Sequence, residues 1–383
     1  DQFSAAAQYF FNKDNSPKLA GVKLQNRQLA KTFQLIAKEG ADVFYKGSIA
    51  RSIVSSVRTS KVNPGILSLN DLDSYQVKVR SPICVPYRQY QICGMGSPSS
   101  GGLTVGQIFG ILENFDLQSI GPGLRATHLF IEASKLAYAD RNLYMADKDY
   151  VVVPESGLIE KAYVSTRANL ITDIASRKAE PGRPEGSKGL LRSLQMQNEK
   201  PGTTHFVIVD KYGNAVSITS TIEMGFGSRV MVGGFLLNNE LTDFSFMPIR
   251  EGRLIANRIE GGKRPRSSMA PTIIFKNKKP ILLTGSPGGS RIISYVARTT
   301  AAILDWDMDP QLAISRGHVV NRNGVTELEE NTEAIGLKIG LEALGHKVKI
   351  RNLNSGLHAI KILKNGGLIG AADPRREGLV MGR

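Results

Sequence analysis

The chain has 383 residues, 41% of them apolar, and 49 Lys plus Arg against 34 Asp plus Glu, for a formal charge of +15. This is enough for one large domain or two ordinary ones with a full core, which excludes wholesale disorder, and no run of about 18 apolar residues is present to span a bilayer. The basic residues are dispersed, without a block of about five and without interleaved aromatics, so the charge reads as a soluble surface and nucleic-acid binding is set aside.

The opening Asp1-Gln2-Phe3 is neither an initiator methionine nor a signal peptide, so the chain is expected to begin within a longer one. Leu29, Phe33, Ile36 and Val43 recur at helical spacing, and Lys46-Gly47-Ser48 turns the chain into a second helix through Ile49 and Val54. Asn70 is the expected N-cap of a short helix; residues 75–79 and 89–93 read as strands. Cys84 and Cys93 fall on adjacent strand segments and make neither a disulfide framework nor a CxxC metal site. The small-residue loop 97–102 opens an apolar helix over 103–112, and either presents amides to an anion or is an ordinary strand-to-helix turn. Residues 125–141 form an amphipathic helix carrying His128, which reads as a lone histidine with no partner at metal-binding spacing.

Residues 177–202 shift to Gly, Pro and charge without periodicity, which predicts a mobile linker. It leads into two alternating runs, 203–209 and 215–221, separated by Lys211-Tyr212-Gly213-Asn214, where Gly213 and Asn214 tolerate positive φ. Thr203 therefore heads a β-hairpin. A threonine with a free α-amine can act as nucleophile with its own amine as base, so function turns on whether the Gly202–Thr203 bond is cut.

Beyond the hairpin, residues 234–237 read as a strand that precedes Glu240 and Asp243, a general acid/base pair or simply a polar loop. Ser267 and Ser268 sit beside Lys263, Arg264 and Arg266, suited to a carboxylate or to an exposed turn. Residues 281–284, 285–291 and 292–304 give strand, glycine-rich loop and helix. The loop has neither a Walker GK[ST] nor GxGxxG spacing, and its adjacent glycines, Gly288 and Gly289, can instead aim consecutive amides at a developing oxyanion.

The ordered set TTHFVIVDKYGNAVSITST, GFLLNNELTDFS, KRPRSSMAPTI and TGSPGGSRII, extended upstream by GADVFYKGSIA, GSPSSGGLTVGQIFGILENFD and KLAYADRN, resembles the γ-glutamyltransferases. These are glutathione hydrolases among the N-terminal-nucleophile hydrolases, and the resemblance covers nearly the whole chain. It implies an α+β fold, the four-layer αββα sandwich. It also implies self-cleavage into residues 1–202, the C-terminal part of a large subunit ending in a linker of about 177–202, and residues 203–383, the small catalytic subunit of a heterodimer. Thr203 matches the nucleophile, Thr221 the threonine that hydrogen-bonds it, and Gly288 with Gly289 the oxyanion hole. Glu240 and Asp243 match groups on the α-ammonium of the γ-glutamyl moiety, and Ser267 with Ser268 the pair on its α-carboxylate. The implied reaction passes a γ-glutamyl group from glutathione or a related compound to water or to an amino acid or peptide amine. It needs no metal or organic cofactor and takes place in a periplasmic or extracellular setting.

The sequence departs from that pattern at Glu223, where the family has an asparagine contacting the α-ammonium. No residue corresponds to the family's upstream arginine that binds the α-carboxylate, and the same upstream region is expected to supply strands, leaving sheet edges exposed. The alternative readings are a related acylase or amidase acting on a glutaryl or cephalosporin-type acyl group, and an inert fragment or precursor.

Overall fold

The computed structural model describes residues 3–195 and 202–382, and the chain forms two compact units, Asp1–Val79 with Ile222–Glu240, and Arg80–Thr221 with Leu241–Arg383. Among the described residues no helix is long and apolar enough to cross a membrane.

In the smaller unit, helices α1 (Arg27–Glu39) and α2 (Ser48–Arg58) follow the expected periodicity, and Val43, Ile49, Ile53 and Val232 form its core. Phe33, expected on the apolar face, is 60% exposed. Asn26 caps α1 by accepting from the Leu29 N–H, and its Nδ2 donates to the Gly234 carbonyl while Thr32 Oγ1 donates to that of Gly233, both at 2.7 Å. These bonds clip the 222–240 segment onto the helix. Gly234 has φ +86°, and a Cβ there would lie 2.3 Å from the Leu29 nitrogen, so only glycine permits the approach. The short helix Leu69–Asp73 is capped by Ser68 and not by Asn70: Ser68 and Asp71 exchange side-chain and backbone hydrogen bonds as a capping box. Residues 75–79 are not a strand; Val77 and Val79 are exposed, and alternation without a neighbouring strand does not make a ladder.

The larger unit contains β1 (Ile83–Tyr87), β2 (Tyr90–Gly94), α3 (Gly101–Leu112), α4 (Leu124–Tyr144), α5 (Lys161–Ala168), β3 (Thr203–Val209) and β4 (Ala215–Thr221). It continues with β5 (Thr272–Lys276), β6 (Lys279–Gly285), α6 (Ile292–Asp305), β7 (His358–Ile362) and β8 (Leu368–Ala372). An antiparallel sheet runs β1-β2-β5-β6-β7-β8. The buried helix α3 packs against β1 and β2 and also against α4, α5 and α6, so the apolar core lies between sheet and helices. The β3–β4 hairpin pairs from Thr203↔Thr221 to Val209↔Ala215, as the alternation predicts, and packs on β6 and β7 as a second β layer. Gly213 alone of the two candidate turn residues takes positive φ. The outward pairs Phe206↔Ile218 and Ile208↔Val216 are exposed, a face left uncovered by the described residues.

Cys84 and Cys93 are directly opposite on β1 and β2 and form a single disulfide, where the sequence suggested no framework. The stretch 177–195, read as a mobile linker, is tied down instead. Ala179 exchanges two 2.8 Å bonds with the Asn323 side chain, the Gly182 N–H donates to Asp140, and the Gln195 N–H donates to the Asn142 carbonyl. Gly and Pro fix the backbone path here while side chains elsewhere accept its amides. Residues 196–201, the rest of that expected linker apart from Gly202, lie outside the described residues.

Candidate active site

The sheet register gathers the site. Thr272 of β5 lies opposite Thr284 of β6, so the Ser267-Ser268 loop before β5 and the Gly288-Gly289 loop after β6 leave from the same end. His358 of β7 pairs with Gly285 there. His205, two residues after Thr203 and so on the same face of β3, lays its ring on Gly285, where a Cβ would fall 2.3 Å from the ring. The strand headed by Thr203 and the glycine loop are thereby held against each other.

Thr203 Oγ1 donates to Thr221 Oγ1 at 3.3 Å, and Thr221 Oγ1 donates to the Gly202 carbonyl at 3.4 Å. These are long bonds, but they point one way, from the hydroxyl of Thr203 through Thr221 to the carbonyl of the bond ahead of it. Gly288 has φ +137° and Gly289 φ +60°, and a Cβ on Gly288 would meet the Tyr295 ring at 2.7 Å. Both glycines are therefore required by the backbone, which then enters α6 through the 3₁₀ turn Gly289–Arg291. Three contacts pin that turn: Tyr138 Oη donates to the Ser290 carbonyl (2.5 Å), Arg322 to Ser290 Oγ (2.8 Å), and Arg291 forks onto Glu327 (2.7 and 3.0 Å).

Ser267 accepts from the Met269 N–H, and its carbonyl accepts from both the N–H and Oγ of Ser100. Behind Ser268 stands Arg141, fully buried on α4, which donates to Ser268 Oγ and to Ser100 Oγ. The 97–102 loop thus serves as a brace for the serine pair. Asp243 joins the same end through Asn257, whose Nδ2 donates to the Asp243 carbonyl (2.7 Å) and whose Oδ1 accepts from the Arg266 N–H (2.8 Å). Glu223 and Glu240 belong to the smaller unit, where Asn239 accepts from the Met224 N–H and donates its own N–H to the Ile222 carbonyl, bringing the two glutamates' segments side by side. Glu223 is buried and holds φ +72°, unusual for a residue with a Cβ.

Burial, reinforced by His358, lowers the His205 pKa to about 3, so the ring is neutral. Its Nδ1 shares a 2.8 Å hydrogen bond with Thr219 Oγ1. His205, Arg141, Tyr138 and Arg322 carry no role in the sequence reading. In the sequence KLAYADRN is only a stretch of resemblance, and charged residues within an otherwise apolar helix are its signal.

Among the described residues one group of side chains has metal-ligand character, and it is elsewhere. His128, Glu132 and His346 are buried together, so His128 does have a carboxylate one helical turn away and a second histidine from another element. Hydrogen bonds fix the proton positions. His128 Nε2 faces the Thr172 carbonyl and must donate; His128 Nδ1 then accepts from His346 Nε2 at 2.8 Å, leaving His346 Nδ1 as a lone pair 3.9 Å from Glu132. Lys135 already pairs with Glu132 at 2.7 Å and supplies the positive charge a metal would otherwise bring. The cluster is an ion-paired hydrogen-bond network.

A threonine heading a strand of one β layer, a tight glycine loop on the facing sheet and a helical layer behind it define the α+β fold of the N-terminal-nucleophile hydrolases. A family model for gamma-glutamyltranspeptidase matches residues 1–383. The chain is 39% identical over 377 residues to a glutathione hydrolase proenzyme of Escherichia coli, covering 95% of this chain and 63% of that one. It is 36% identical over 388 residues to the glutathione hydrolase proenzyme of Bacillus subtilis, covering 98% and 65%. It therefore spans a little under two thirds of these relatives' length. Among solved structures, a cephalosporin acylase from Bacillus halodurans superposes with a TM-score of 0.86 at 25% identity, covering all of this chain and 67% of that one. The chain belongs to the gamma-glutamyltranspeptidase family.

Proposed function

We propose that this chain carries the catalytic centre of a γ-glutamyl hydrolase or transferase that cuts itself between Gly202 and Thr203. The one-way relay from Thr203 Oγ1 through Thr221 to the Gly202 carbonyl is the observation that carries this reading. In the uncut chain Thr203 Oγ attacks the Gly202 carbonyl; as the ester forms, the Gly202–Thr203 C–N bond breaks and the nitrogen takes a proton to become the free α-amine, and water then hydrolyses the ester to release the Gly202 carboxylate and restore the Thr203 hydroxyl. The products are the 1–202 and 203–383 pieces, which stay together as a heterodimer. In the mature site that amine takes the proton as Thr203 Oγ attacks the γ-carbonyl of glutathione or a related compound, and the Gly288 and Gly289 amides receive the oxyanion. Collapse expels the amine product and leaves a γ-glutamyl ester on Thr203. Water or an acceptor amine then releases it.

Glu223, Glu240 and Asp243 hold the substrate α-ammonium, and Ser267 with Ser268 its α-carboxylate. The buried Arg141 guanidinium behind Ser268 supports that assignment by placing positive charge beside the serine pair. The Cys84–Cys93 bridge suits the periplasmic or extracellular setting proposed for the protein. A second reading, an acylase for a glutaryl or cephalosporin-type group, is favoured by Glu223 in place of asparagine and by the likeness to the Bacillus halodurans acylase.

Intact mass and a denaturing gel test cleavage: two pieces split before Thr203 are expected, and Thr203→Ala is expected to stay whole and inactive. Cleavage retained in that variant would refute the nucleophile. Release of a chromogenic amine from γ-glutamyl anilide, against a glutaryl anilide, separates the two readings; turnover of the glutaryl compound alone would select the acylase.

A further inference from the structure

We infer that Arg376, near the C-terminal end of the chain, tunes the base of the reaction by holding a permanent positive charge beside the α-amine of Thr203; this rests on the functional reading above. Arg376 Nη1 donates to the Thr203 carbonyl at 3.3 Å, although 173 positions separate the two residues. The guanidinium is held there. Its Nε donates to Asn354 Oδ1 (3.0 Å) and its Nη2 to the Asn354 carbonyl (3.2 Å), while its Cδ lies over Gly356, where a Cβ would come within 3.0 Å of it.

The amine released at Thr203 is on the same residue as the carbonyl that Arg376 contacts. Bond lengths keep it within about 7.5 Å of Nη1, inside the ~8 Å screening length at physiological salt. Like charge disfavours the ammonium and lowers the amine's pKa from its ordinary range of about 7.7–8.0, so more of it is free base at neutral pH.

Among the described residues of the larger unit, no other formal charge is aimed at this position by the elements packed on β3. β4 carries none, β6 carries only Lys279, at the end remote from Gly285, and Lys361 of β7 is paired with Asp307. His205 is neutral, and His358 of β7 packs beside it, 6.5 Å away between ring centres. On the segment after β8, Arg375 is taken up by Glu329 and Asp373, and Glu377 is exposed. Arg291, at the end of the glycine loop, is paired with Glu327.

The test is the acid limb of the kcat/KM profile of the self-cleaved enzyme, with the chain as encoded. Arg376→Gln is expected to move the limb up by roughly half a pH unit, a loss of about threefold below the limb and none on the plateau. Arg376→Lys should keep the wild-type limb, Arg376→Glu should move it further up, and 1 M salt should close the gap between wild type and Arg376→Gln. The pH dependence of cyanate carbamylation of the Thr203 amine, read by mass, reports the same shift without turnover. An equal loss at every pH with an unmoved limb, or Lys behaving as Gln does, would overturn the inference and leave the functional reading intact. A wild-type chain that is never cut before Thr203 would overturn both.

Discussion

The strand-end cluster around Thr203 and the buried cluster on α4 are made of opposite materials. His128, Glu132 and Lys135 of α4, with His346 from another element, have the residue types usually associated with catalysis or metal binding, yet Glu132 and Lys135 pair with each other and three of the cluster's polar atoms meet a backbone group. Around Thr203 there are hydroxyls, glycines, one neutral histidine and the Arg376 guanidinium, joined by long bonds and by backbone at positive φ. A network whose charges are already paired contributes specificity and stability; small polar groups on glycine backbone let a ligand approach closely. Residue type alone points to the cluster around His128, whereas the proposed site is the one around Thr203.

That contrast can be broken by mutation. Lys135→Met leaves Glu132 buried beside an uncharged side chain and is expected to cost about 3–5 kcal/mol in urea unfolding, with kcat/KM of the surviving fold unchanged; a change in kcat/KM would tie α4 to the chemistry. Gly288→Ala must displace the Tyr295 ring and reset the loop. Its expected cost is roughly a hundredfold in kcat, about 3 kcal/mol, together with about 1–3 kcal/mol in stability from the displaced ring, and a loss of stability with kcat unchanged would make the loop purely structural. Thr221→Val removes the relay hydroxyl at nearly constant volume and should slow self-cleavage about tenfold, followed as band conversion with time; an unchanged rate would detach Thr221 from cleavage.

The smallest effect concerns protons. Burial, with Lys135 nearby, lowers the His346 pKa to about 4, whereas the unfolded chain binds a proton there near 6.5. The unfolded state therefore holds more protons between these values, and His346 contributes stability that is complete above about pH 6.5 and declines as the pH falls toward 4. His346→Gln should flatten that part of the stability curve, measured as urea midpoints at pH 7 and pH 5, without moving the acid limb of activity. A coincident shift of both would merge the two clusters into one.

Sequence periodicity made the hairpin legible to its register, because alternation over 203–209 and 215–221 has a period of two and its turn residues lie between the runs. The helices over 101–112 and 124–144 and the strand, glycine loop and helix over 279–305 were legible for the same local reason. Residues 75–79 misled, since a strand is completed only by a neighbour, and Asn70 misled because Ser68 with Asp71 formed the better reciprocal cap. The 177–195 stretch read as free because nothing local holds it, while its partners, Asp140, Asn142 and Asn323, lie elsewhere in the chain.

By itself, then, the sequence determined the hairpin headed by Thr203, the paired glycines and the family, since each is written in consecutive residues or in their order. Tertiary structure alone decided that His205 would press on Gly285, that Arg141 would stand behind Ser268, that His128 would meet His346, and that Arg376 would reach Thr203. The physical reason is range. Backbone preferences act over a few neighbours, whereas the partner of a buried charge or the neighbour of a nucleophile is chosen by how whole layers pack.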